Sequence, residues 1–258
     1  MTLRSRVVPR PSLDAEQRER MFVLMDECYE GVERQRFFHD LDNKQFVIVL
    51  DDPKETGARA LKGFSTLLVL ARELDGEVVD VVFSGDTVID PAHWGSKALQ
   101  TAFGRFCLEK KLAHPRRRLF WLLLSKGFRT YLLAVNYFPR TFPKPGAQPP
   151  TSLVRFRDAL ATELWGSAYS PLTQVLHYDV PRDRVRAPLA PPPPESLRDP
   201  AVRFFTETNP RAHEGDELVC LVPLPLQDIG RALVRATAKA ISSAVRPRRR
   251  RRAPPVAV

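Results

Sequence analysis

The sequence predicts an α/β protein with a mixed, largely antiparallel sheet flanked by helices, followed by a C-terminal extension of helix and strand. Three observations carry this expectation. The run QFVIVLDD at 45–52 is rich in β-branched residues, two extended segments are joined by Asp75-Gly76, and the continuous apolar run RLFWLLL at 118–124 lies between segments of helical spacing.

Taken in order, residues 14–32 place Met21, Leu24, Met25 and Cys28 at helical intervals behind Asp14, whose side chain suits an N-cap. After a polar stretch containing Phe37 and Phe38, a strand is expected at 45–50, stopped by Asp51-Asp52-Pro53. Strands at about 61–71 and 77–89 form an antiparallel pair, because Asp-Gly is a common tight-hairpin turn. Asp90-Pro91 ends the second, and 94–112 spaces Leu99, Ala102, Phe103, Phe106 and Leu112 on one helical face before His114-Pro115. The run at 118–124 lacks alternation, as a strand covered on both faces does. Phe128, Tyr131, Leu132, Val135 and Phe138 then recur at helical intervals up to Pro139, which ends the helix.

Beyond about residue 145, segment 151–166 reads as an amphipathic helix and 172–180 as a strand. A Pro191–Pro194 spacer precedes a strand at 216–224 and a basic amphipathic helix at 228–245. The expected organisation is therefore a flexible N-terminus at 1–13, a core at 14–145, an extension at 146–245 packing on that core, and a disordered Arg/Pro-rich tail at 246–258.

At 258 residues, 43% hydrophobic and 27% charged, the chain can bury one sizeable core. Its three cysteines lack paired spacing and a neighbouring histidine, which excludes a zinc motif and fits a reducing cytoplasm. No apolar leader or window of ~18 uncharged apolar residues is present, so neither export nor membrane insertion is expected. Of the net charge of +10, six come from Arg246 and Arg248–Arg252, leaving +4 for the body. The tail could contact nucleic acid or an anionic membrane without sequence preference, or simply be solvated. A lipid-facing reading of the helix before it would put Ile229, Leu233, Ala240 and Ile241 on the apolar side; the alternative is a C-terminal helix docked on the core with a solubilising tail. No base-reading module is visible.

The order helix, three strands, long helix, buried strand, helix resembles the core of the GNAT acyl-CoA N-acyltransferases, and the junction VIDPAHWGSKALQTAF lies where that family carries its acyl-CoA loop. The family's loop reads hydrophobic-x-Pro-x-x-Arg-Gly-x-Gly-hydrophobic-Gly and opens a helix whose amides hold the CoA pyrophosphate. Pro91 and Gly95 match it, whereas Trp94 stands in place of the Arg and Lys97 in place of the second Gly. Lys97 either supplies a compensating charge or marks a loop that no longer holds CoA in the usual way. The segments HWGSKALQ, LLSKGFRTYLLAVNYFPR and NPRAHEGDELVCL are similar to those of bacterial superfamily members whose substrates are not established.

The resemblance implies acyl-CoA as co-substrate, no metal, and transfer of the acyl group to an amine on a small molecule or a protein. It implies cofactor contacts at Val88, Ile89, Trp94, Gly95, Ser96 and Lys97, with Asn136 as a further polar contact. Asp86 is the candidate general base, although Ser84-Gly85-Asp86 is equally good turn or bulge chemistry. Tyr131 is the candidate proton donor to the leaving thiolate, although its apolar neighbours also suit a core tyrosine. Ser125 could bind substrate or cap local backbone. The alternative function is a noncatalytic binding or regulatory module in which the altered 94–97 loop has lost cofactor binding and the basic C-terminus contacts nucleic acid or an anionic membrane; a cleft plugged by Trp94, Lys97 or Phe138 would favour it.

Overall fold

A computed structural model describes residues 3–180, 183–186 and 192–245. The strands are β1 (Arg4–Pro9), β2 (Tyr29–Glu30), β3 (Phe46–Asp51), β4 (Leu61–Leu74), β5 (Glu77–Ile89), β6 (Leu119–Ser125), β7 (Tyr169–Ser170), β8 (Val175–Leu176), β9 (Arg184–Val185) and β10 (Glu217–Pro223). The α-helices are α1 (Ala15–Cys28), α2 (Arg34–Asp42), α3 (Ala98–Ala113), α4 (Phe128–Tyr137), α5 (Thr151–Trp165), α6 (Pro200–Thr208) and α7 (Leu226–Val245). Eight strands form one sheet in the order β1-β3-β4-β5-β6-β10-β8-β7, and β2 pairs separately with β9. Among the described residues, only β5 and β6 run parallel within the large sheet, which is the pairing that α3 makes possible as a crossover. The chain is thus α/β, with a mixed, mostly antiparallel sheet between helices.

The alternation of each strand sorts its side chains onto two faces. Ile48, Leu67, Val82, Trp121 and Cys220 pack under α3, α4, α6 and α7. On the opposite face, Val81, Phe83, Phe120 and Leu122 meet α5, while Val47, Val49 and Phe64 meet α1 and α2. Asp14 does cap α1, accepting from the Gln17 amide at 2.7 Å while its own amide donates to the Gln17 side chain. The hairpin between β4 and β5 turns at Asp75 (φ 54°) and Gly76 (φ 78°), as the dipeptide requires.

Five sequence expectations need correction. Residues 4–9 of the supposedly flexible N-terminus are an edge strand whose register runs from Arg4 opposite Asp51 to Pro9 opposite Phe46. Pro9 is tolerated because it closes an edge strand, and Arg6 pairs with Asp51 at 2.9 Å. The polar stretch after α1 contains α2, whose buried residues are Phe37 and Leu41, one turn apart. Segment 146–245 supplies a strand inside the sheet, since β10 lies between β6 and β8. The expected strand at 172–180 is reduced to Val175–Leu176. Nor does α7 offer its apolar side to a lipid surface, because Ile229, Ala232 and Ala236 are buried and Leu233 packs on Gly104 of α3. The side chains of Ala240 and Ile241, and the arginine tail at 246–258, lie outside the described residues. Among the described residues no helix is long and apolar enough to cross a membrane.

Candidate functional site

The site follows from where pairing stops. The parallel ladder holds Asp80–Ser84 against Leu119–Leu123 and ends there, although β5 continues to Ile89. Past Ser84 the two strands separate, and the helix after each begins at the gap. At the same point β5 bulges, because Ser65 faces Thr87 while Leu67 faces Ser84, so two steps on β4 oppose three on β5. Gly85 sits in the bulge, where a Cβ would lie 2.7 Å from Thr66 Oγ1 and 2.9 Å from Lys44 Cε. Only a glycine lets the lysine cross so closely.

A long cleft of about 360 Å³ opens beside the end of β5, lined by Val88, Ile89, Trp94, Gly95, Ser96 and Lys97, and by Gly127, Phe128 and Arg129 at the start of α4. Trp94 is 44% exposed and forms a wall, so it leaves the cleft open. Its indole donates to the Ile89 carbonyl at 2.8 Å. The Asp90 amide donates to Lys62 on β4, so by alternation Val88 also turns its backbone to β4, whereas Thr87 and Ile89 turn theirs to the opening. Val88 therefore contributes a wall side chain rather than a free strand edge. Gly95 has φ 94°, a conformation that disfavours a side chain. Ser96 Oγ accepts from the Ala98 amide at 3.3 Å, and Lys97 occupies the N-cap of α3 without accepting from the amides beyond it. Arg129 lies over the Trp94 ring at 5.1 Å. Two helix N-termini and two cationic side chains thus border one cleft, an arrangement suited to a polyanion. His93 steadies the loop, 3.6 Å from Asp52 and 3.7 Å from Asp90.

A second, polar cleft of about 230 Å³ lies on the α5 side of the same strand end, and Asp86 lines it with Tyr29, Lys44, Lys126, Tyr178 and Glu217. Burial pushes the Asp86 carboxyl up to about 6, against the opposing pull of Lys126 and Lys44. Lys126 is itself held 3.4 Å from Glu217, and Arg36 is paired with Asp183 at 2.9 Å. Burial likewise raises the Tyr29 phenol, which Asp86 reinforces, so Tyr29 is neutral at pH 7 and available as a donor. Tyr29 lines both clefts.

Three expected residues fall outside this arrangement. Tyr131 is fully buried, with its hydroxyl donating to the Pro143 carbonyl at 3.1 Å and its ring packed against Phe204 and Phe205. Burial raises its phenol strongly, and it lines neither cleft, so it is a core tyrosine. Ser125, the last residue of β6, is fully buried and lines neither cleft. Asn136 is exposed at the far end of α4, where its carbonyl accepts from Arg235. Cys107 is buried in apolar surroundings that raise its thiol, a packing role. Sequence reasoning missed Tyr29, Lys44, Gln100, Lys126 and Thr130. Lys126-Gly127 after an apolar strand was the one local signal, since a Gly at a strand-to-helix junction exposes helix amides.

No protein-family model matches the chain, and no curated protein sequence matches it either. Among solved structures, the chain is similar to a probable N-acyltransferase from Enterococcus faecalis, at 16% identity and a TM-score of 0.37 over 49% of this chain and 30% of that one. It is similar to the GNAT family N-acetyltransferase YhbS from Escherichia coli in complex with CoA, at 14% identity and a TM-score of 0.35, over 49% of this chain and 65% of that one. It is also similar to NAA60 from Arabidopsis thaliana in complex with a bisubstrate analogue, at 11% identity and a TM-score of 0.37 over 49% and 81% of the two chains. The chain thus spans less than two thirds of the first two, and likenesses of this extent do not fix an activity.

Proposed function

We propose that the protein transfers an acyl group from acyl-CoA to an amine, with the long cleft holding the CoA and the polar cleft the acceptor. The observation that carries this reading is the meeting of both clefts at Thr87 and Thr130, beside the backbone edge that β5 leaves unpaired. Pantetheine would lie along Thr87 and Ile89, pairing with amides that face the gap. The pyrophosphate would sit at the start of α3, near Lys97 and Arg129.

The acceptor enters from the other side, where Asp86 takes the proton of the attacking amine. A carboxyl at about 6 is ionised at pH 7 yet still basic enough for that task. As the C–N bond forms and the C–S bond breaks, the thiolate accepts a hydrogen bond from neutral Tyr29. Asp86 then returns the proton to the sulfur, whose ordinary pKa of ~8.5 makes the transfer downhill. A plugged cleft would have favoured the noncatalytic alternative, and the open wall at Trp94 speaks against it.

Calorimetric titration of the full chain with acetyl-CoA tests the premise. Micromolar binding, weakened about tenfold to a hundredfold by Lys97→Glu, is expected if a charge-assisted phosphate contact is lost there. Absence of binding at millimolar acetyl-CoA retires the reading.

A further inference from the structure

Behind Thr87 the long cleft continues into a recess of about 50 Å³, on the sheet face covered by α3, α4 and α7. The two spaces share Thr87, Leu99, Gln100, Thr130 and Leu133. Thr87 and Thr130 also line the polar cleft, so all three spaces converge on these two residues. Beyond the threonines the recess is walled by Phe103, Trp121, Leu123, Leu133, Phe138 and Ala232. The polar groups near its floor already bond one another: Trp121 Nε1 donates to Ser84 Oγ at 2.8 Å, and Ser65 and Thr87 share a hydrogen bond of 2.8 Å. Away from Gln100 and Tyr137, a polar occupant would give up its water with little recompense, whereas an apolar chain would not. Gln100 Oε1 is a buried acceptor with no hydrogen-bond partner, on the wall common to cleft and recess. It is placed to receive an N–H from a molecule that passes from one space into the other.

We propose that this recess is an acyl pocket, and that the protein takes a short, unbranched acyl chain longer than acetyl. The inference rests on the acyl-transfer reading above and adds the substrate class. At about 10–15 Å³ for each water-sized group, the recess has room for roughly three to five, which fits a chain of butyryl to hexanoyl length. The thioester carbon would then lie at Thr87 and Thr130, open to the polar cleft where the amine arrives.

The test is calorimetric titration of the full chain with free CoA and with acetyl-, butyryl-, hexanoyl- and decanoyl-CoA. Each methylene that enters an apolar wall tightens binding about fourfold, from ~0.8 kcal/mol per CH₂, so butyryl-CoA is expected to bind about fifteenfold tighter than acetyl-CoA. Decanoyl-CoA is expected to lose most of that gain, because the chain outgrows the recess. Ala232→Leu, which fills the recess from α7, brings the ratio of butyryl to acetyl affinity close to one. Leu133→Ala, at a half-buried position that tolerates truncation, shifts the tightest binding to a longer chain and decides the matter if Ala232→Leu does not fold. Equal affinity for acetyl- and butyryl-CoA in the wild type, or decanoyl-CoA binding as tightly as butyryl-CoA, overturns the acyl pocket alone. Failure of free CoA and every thioester to bind overturns the acyl-transfer reading and the pocket with it.

Discussion

Replacing Asp86 with Asn is expected to stabilise the protein at neutral pH while abolishing transfer. The carboxyl is pushed up to about 6 by burial in the polar cleft, against ~3.9 in an unfolded chain. A raised folded pKa means that the native state keeps this proton at pH values where the unfolded state has released it. Its contribution to stability is therefore complete below about pH 4 and is lost as pH rises through about 6. A difference of about two pKa units corresponds to at most ~3 kcal/mol, and the water that reaches the cleft reduces this to about 1–2 kcal/mol. Asn mimics the protonated carboxyl at every pH. Urea unfolding of both proteins from pH 4 to 8 should show midpoints that coincide near pH 4, separate in favour of Asp86→Asn up to about pH 7, and then run parallel at unchanged slope. A pH-independent difference, or wild type the more stable at pH 7, would mean that Lys44 and Lys126 outweigh burial. Asp86 would then be an ion-pair partner, and its assignment as a poised base would fail.

Two further outcomes follow from the same geometry. Lys126→Met removes the larger of the two opposing cations and releases Glu217, so the acid limb of the rate profile is expected to move up from about 6 by roughly one unit; a profile that stays in place would detach Lys126 from the site. Tyr131→Phe leaves the Pro143 carbonyl without its buried donor and is expected to cost about 1–2 kcal/mol in denaturation while leaving kcat within twofold, whereas a hundredfold loss of kcat would restore Tyr131 to the chemistry.

The sheet strands β3, β4, β5, β6 and β10 and the long helices were legible because their signals are local: alternation, an Asp-Gly turn, and apolar residues at three- and four-residue intervals. β1 and α2 were not, since each owes its structure to an element elsewhere in the chain. Arg4–Pro9 becomes a strand by pairing with β3, and Phe37 and Leu41 make a helical anchor only against α1 and β4. The cleft residues at 88–97 form one continuous stretch, so a single local pattern could point to them. Asp86 was found, but Tyr29, Lys44, Lys126 and Glu217 come from separate parts of the chain and no spacing connects them. The error at Tyr131 has a geometric cause. On α4, Thr130, Leu133 and Tyr137 form the stripe that lines the recess, while Tyr131, about 100° further round, faces α6. The periodicity of Tyr131, Leu132 and Val135 already suited a core tyrosine, and the donor role came only from the resemblance.

The bulge at Gly85 explains why one strand end serves three spaces. In β5 the side chains of Val79, Val81 and Phe83 face α5, and Ser84 faces the recess. Uninterrupted alternation would send residue 86 to the recess side with Ser84 and residue 87 to the opposite side. The extra residue reverses this beyond Ser84. Thr87 joins Ser84 at the recess, Val88 packs with Val49 and Phe64 on the face that carries Phe83, and Asp86 turns into the polar cleft. The carboxylate and the threonine thereby stand on opposite faces of a strand whose unpaired edge lies between them. An apolar chain can be held on one side of that edge while a proton is taken on the other. Separating the two faces keeps the raised carboxyl away from the apolar recess, where an ionised group would have no compensation. The splay of β5 from β6 supplies the opening, and one inserted residue decides which chemistry faces each side of it.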